Sequence, residues 1–83
     1  MYTRHATKRM QQRCIDPLII DLLLQYGTEE HDRRGAVRRY FDKSARRSLK
    51  KNIGRLMYRR LEHYWNAYLV EIDGQIVTVG WRH

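Results

Sequence analysis

His5, Arg9 and Arg13 recur at every fourth position. In a helix that spacing puts them on one face. Their types suit metal-independent cleavage of RNA. That reaction needs a base for the 2′-hydroxyl, an acid for the leaving oxygen and cations for the charged phosphate. Histidine changes protonation near neutral pH and can serve either proton step. Arginine's planar fork holds two phosphate oxygens. Arg82, near the other end of the chain, completes the set if the last strand lies beside the first helix. The expected catalytic group is His5 as acid or base, with Arg9, Arg13 and Arg82 as phosphate ligands. The Tyr40 hydroxyl can orient a phosphate. Each residue has a plainer alternative. His5 can be a surface histidine, Arg9 and Arg13 can pair with Asp16 and Asp21, and Arg82 can be a solvated charge. His31, His63 and His83 are read as incidental.

A second set of cations is denser. The 83 residues carry 17 Lys plus Arg against 9 Asp plus Glu, a net charge of +8. Residues 43–66 hold eight of the basic side chains and one acidic one, so the excess sits almost wholly there. A field focused in this way attracts polyanions. Arg46, Arg47, Lys50, Lys51, Arg55 and Arg59 are the expected nucleic-acid contacts, as a ridge that tracks a backbone without reading sequence. Tyr58, Tyr64 and Trp65 can stack on bases if they are exposed. The ridge can equally hold an acidic protein segment, or simply be a solvated helix face.

These residues need elements to position them, and the patterning supplies a short list. Thr3 to Gln12 reads as a helix capped by Thr3, with Ala6 and Met10 as its apolar face. Asp16-Pro17 starts a second helix. Leu18, Ile19, Leu22 and Leu23 give it a wide apolar face, and Gly27 ends it. Thr28 to Asp32 and Ala36 to Phe41 read as a hairpin across Arg33-Arg34-Gly35. Asp42 or Ser44 caps a basic helix whose apolar period runs through Leu49, Ile53, Leu56, Met57, Leu61 and Tyr64. Gly54 marks the place where it bends or breaks. Asp73-Gly74 joins two alternating runs as a tight hairpin. A simple register pairs Ile72 with Gln75, Val70 with Val77 and Tyr68 with Val79. It puts Tyr68, Val70, Ile72, Val77, Val79 and Trp81 on the face covering the leucine-rich helix. The expected fold is α+β, with two N-terminal helices and a basic helical segment packed on a small antiparallel sheet. Residues 1–83 form one domain by length. A core this small buries roughly 60% of the unfolded surface.

The segment Arg4 to Ile15 resembles the opening of a family of small bacterial domains of unknown function, number 4258. That opening is a His, then Arg-Met, then Gln-Arg-Gly-Ile. His5, Arg9-Met10, Gln12-Arg13 and Ile15 match it. Ile76, Thr78, Val79 and Arg82 resemble the family's closing strand. The resemblance spans essentially the whole chain and implies a relative of small ribonuclease toxins, with an RNA-directed role and an acidic antitoxin-like partner. Cys14 stands where the family usually has Gly. If that position needs a positive φ, Cys14 carries strain of about 1 kcal/mol. Otherwise Cys14 reads as a small buried residue at a helix junction.

Other classes are excluded or disfavoured. One cysteine makes no internal disulfide, and the histidines form no zinc pattern. No glycine motif for a nucleotide and no carboxylate pair for a metal is present, so neither cofactor nor metal is expected. No apolar run nears the roughly 18 residues of a membrane span. A cytoplasmic protein without membrane contact is the expectation. Three functions compete: a metal-independent ribonuclease, a non-catalytic nucleic-acid binder and a protein-interaction subunit. Convergence of His5, Arg9, Arg13 and Arg82 in one concavity would favour the first.

Overall fold

A computed structural model describes residues 1–82. Two helices come first, α1 (Arg4–Gln12) and α2 (Pro17–Tyr26). The hairpin β1 (Thr28–His31) and β2 (Ala36–Tyr40) follows. Next are α3 (Lys43–Ile53), α4 (Arg55–Arg60) and a short 3-10 turn, Glu62–Tyr64. The chain returns to the sheet through β3 (Ala67–Ile72) and β4 (Gln75–Trp81). The sheet is antiparallel throughout, in the order β1-β2-β3-β4. The fold is therefore the expected α+β arrangement.

Local chemistry sets most boundaries. The Thr3 hydroxyl accepts from the Ala6 amide, the Asp16 carboxylate from Leu18 and the Asp42 carboxylate from Ala45. Each satisfies a donor that the helix start leaves without a partner. Gly54, at φ +88°, breaks the basic segment into α3 and α4. A side chain with a Cβ would be strained at that angle. Gly27 ends α2 for a different reason. Its φ is −66°, but an added Cβ would run into the Leu23 carbonyl oxygen.

α1 packs along β4, and α2 lies over β2 and β3 and against α3. Ala6, Met10, Ile19, Ile20 and Leu23 bury against Leu69, Ile76 and Val79, while Leu49 and Phe41 extend the same core toward α3. Burying each of these side chains other than that of Ala6 contributes about 1.5–3 kcal/mol. The N-terminus is tied to β4 by hydrogen bonds from Thr3 to Ile76 and from Ile76 to Met1.

The last hairpin corrects the expected register. Asp73 and Gly74 both have positive φ, as a tight two-residue turn requires, and Ile72 pairs with Gln75. Beyond that pair Val77 is an extra residue, because Glu71 pairs with Ile76 and Val70 with Thr78. This bulge lets Ile76 and Val79 face the core together, although an odd number of positions separates them. It also reverses β3. Leu69 and Ala67 are the buried residues, while Tyr68, Val70 and Ile72 lie on the face turned away from the helices. Three smaller expectations also change. Leu18 is exposed while Ile20 takes its place in the core. Leu56 and Met57 point outward, with Leu56 67% exposed, because the break at Gly54 ends the helical period that would have buried them. Cys14 is exposed, not buried, and sits at φ +54°, a positive angle that strains a residue with a Cβ.

Candidate nucleic-acid interface

α3 presents a stripe of cations. Lys43, Arg46, Arg47 and Lys50 are spaced three, four and seven residues along it, opposite the buried Ala45 and Leu49. A cleft of about 730 Å³ opens beside this stripe. Its lining comprises Phe41, Asp42, Lys43, Arg46, Arg47, Lys50, Tyr58 and Arg82. Arg82 enters from the end of β4, where its amide donates to the Asn66 carbonyl at 2.6 Å. Its guanidinium lies 4.1 Å from the centre of the Tyr40 ring. Cations from two distant parts of the chain therefore share one concave surface.

The floor is aromatic and fixed. Phe41 meets Trp65 edge-on at 5.2 Å, and Tyr58 stacks on Trp65 at 5.2 Å. The Trp65 indole donates to the Tyr58 carbonyl at 3.1 Å, which ties α4 to the core. Trp65 is buried by these contacts and offers no free face to a base. Arg46 is also held, with Nε donating to the Phe41 carbonyl at 3.2 Å and a terminal nitrogen to Asn66 at 3.3 Å. A guanidinium held in this way needs less ordering when it binds an anion.

Little negative charge offsets the cleft. The ion pairs within 4 Å among the described residues lie between β1, β2 and β3, where Glu29, Glu30 and Glu71 meet His31, Arg38 and Arg39. Arg39 also donates to the Leu24 carbonyl and so fastens α2 to the sheet. Asp42 is the one carboxylate among the described lining residues. It is committed to capping α3. The Ala45 amide, and then the Thr28 hydroxyl, hold its carboxyl below the usual carboxylate range, with Arg82 adding a smaller pull.

No family model, no curated protein and no solved structure matches this chain. The likeness to domain family 4258 thus gains no support from these comparisons. The site's reading rests on its own geometry.

That geometry separates the expected catalytic residues. His5 and Arg9 line a small cavity of about 170 Å³ with Lys8 and Gln12, on the outer side of α1. Arg9 Nε lies 3.5 Å from His5 Nε2. Arg13 lines neither cavity. Its carbonyl accepts from the Trp81 indole at 3.1 Å, which fixes the end of α1 to β4. Arg82 belongs to the other opening. Neither Arg9 nor Arg13 has a carboxylate within 4 Å among the described residues, so the expected pairs with Asp16 and Asp21 are not formed. Of the expected nucleic-acid contacts, Arg46, Arg47 and Lys50 line the cleft. Lys51, Arg55 and Arg59 are exposed outside it. Lys43 was legible from the stripe spacing and joins the set. His83 lies outside the described residues. Among those residues no cluster of metal-ligating side chains occurs, and no helix is long and apolar enough to cross a membrane.

Proposed function

We propose that this chain binds nucleic acid, RNA in the first instance, with the α3–β4 cleft holding the phosphate backbone. One observation carries the reading. Lys43, Arg46, Arg47, Lys50 and Arg82 line one open cleft whose single described carboxylate is engaged elsewhere. Arginine and lysine supply the donors and charge that phosphate oxygens need. Binding of this kind releases counterions and weakens with salt. Four phosphate contacts on a single strand give a slope of log K against log salt of about −3. Fluorescence anisotropy of a labelled RNA over a salt series measures it. A slope near zero, or no binding at low salt, contradicts the proposal.

A ribonuclease with His5 as acid or base is the second reading. The observation in its favour is the neighbouring pair of His5 and Arg9 within one cavity. Its test is cleavage of RNA in EDTA that falls at least about 100-fold in His5→Ala, the size expected for loss of an acid–base group. Cleavage unchanged in that variant removes His5 from the mechanism. The expected acidic antitoxin-like partner would occupy the same cations and compete with nucleic acid for them.

A further inference from the structure

The sheet has one face packed under α1 and α2 and one face that the helices leave uncovered. On the uncovered face four side chains alternate between aromatic and cationic. Tyr68 is the first, Arg38 lies 5.4 Å from its ring centre, Tyr40 lies 5.4 Å beyond, and Arg82 follows 4.1 Å from Tyr40. The strands place them there. Tyr40 pairs with Tyr68, and Arg38 pairs with Val70 next to it on the same face. Tyr68 lays its ring over Gly80, where an added Cβ would sit 2.9 Å from Cε1 and 3.0 Å from the hydroxyl. Gly80 is thus the residue that lets the ring settle against the sheet. Arg38 Nε has no hydrogen-bond partner among the described residues, and its terminal nitrogen reaches Glu30 only at 3.9 Å. The last member of the row, Arg82, also lines the cleft.

We infer that this row is a base-stacking platform continuous with the cleft, and that the ligand is therefore a single-stranded nucleic acid. The inference rests on the reading of the cleft as a phosphate binder and adds the class of ligand. Bases stack on tyrosine rings and on guanidinium planes, whatever their sequence. In a duplex the base faces are already stacked within the helix and cannot reach a sheet surface. A strand whose phosphates lie along Arg47, Lys50 and Arg82 meets Tyr40 as soon as it leaves the cleft, and Tyr68 after it. The bulge at Val77 makes this possible. Without it Tyr68 would pair with Val79 and share its face, so the ring and that core residue would not lie on opposite sides of the sheet.

The test compares three ligands on the unaltered protein: a short oligoadenylate, an abasic strand with the same number of phosphates, and the oligoadenylate paired with its complement. The oligoadenylate should bind at least about 30-fold more tightly than the abasic strand, the lower bound for two stacked bases. It should also bind more tightly than the duplex. Tyr68→Leu, which keeps an apolar contact over Gly80, should shrink the gap to the abasic strand and leave the salt slope in place. Equal binding of normal and abasic strands overturns the platform while the cleft reading stands. Tighter binding of the duplex overturns it as well. No salt-sensitive binding of any of the three overturns the cleft reading itself.

Discussion

The two cationic regions differ in how they are built. On α1, His5, Lys8 and Arg9 come from one helix and project from its outer side around an opening of about 170 Å³. Arg9 spends its donors locally, on His5 and on Gln12, both at 3.5 Å. The α3–β4 cleft is about 730 Å³ and gathers a helix stripe and the end of a strand around a fixed aromatic floor. Charge along one helix gives a ridge with solvent on every side. Charge converging from separate elements gives a concave field whose lines are concentrated. A count of arginines does not separate the two cases. The topology does.

The contrast can be broken from the core outward. Leu49 is fully buried beneath the cationic stripe. Leu49→Ala should cost about 2–5 kcal/mol, read by urea denaturation, and should undo the cleft while the α1 surface keeps its charges. Replacing Arg46, Arg47, Lys50 and Arg82 together by Gln should flatten the salt slope of RNA binding by about 3, at about 0.7 per lost phosphate contact. Gly54→Ala forces a side chain into a positive φ and should cost about 1–2 kcal/mol, again by denaturation. A loss no larger than at an ordinary exposed site would contradict the break seen between α3 and α4.

Asp42 gives a smaller, pH-dependent effect. Its folded pKa lies below its unfolded value, chiefly through the Ala45 amide. Its contribution is therefore present above the unfolded value, near about 4. It is lost as pH falls through the folded one. Asp42→Asn keeps a capping oxygen but does not titrate. Denaturation of both proteins across acid pH should show their stability difference shrinking as pH falls. A constant difference would remove Asp42 from the acid limb. The smallest effect is expected at His5→Ala, with RNA affinity changed less than about twofold, as for a surface residue outside the contact.

The sequence made the helix starts readable because Thr3, Asp16 and Asp42 are local signals that act within one turn. It made the turn at Asp73-Gly74 readable for the same reason. The register beyond that turn was not readable, because Ile76, Val77, Thr78 and Val79 alternate acceptably in either frame. The bulge is decided by whether Leu69 or Tyr68 fits beneath α1 and α2. The cationic stripe of α3 was visible from its spacing. Its partner was not. Arg82 looked like a companion of His5 because β4 does lie beside α1. Yet each step along a strand changes face, so Trp81 points to α1 and Arg82 to Tyr40 and the cleft. One residue of alternation moved the expected catalytic arginine to the other surface.

The most direct test removes equal charge from each region. Arg47→Gln with Lys50→Gln takes two cations from the cleft, and Lys8→Gln with Arg9→Gln takes two from α1. Both lower the net charge by the same two units, so a nonspecific field would respond equally. RNA binding over a salt series should lose about 1.4 from its slope in the cleft pair. In the α1 pair the slope should stay within about 0.3 of the unaltered protein, less than half of one phosphate contact. Equal losses in the two pairs, or a larger loss in the α1 pair, would contradict the assignment of the interface to the α3–β4 cleft.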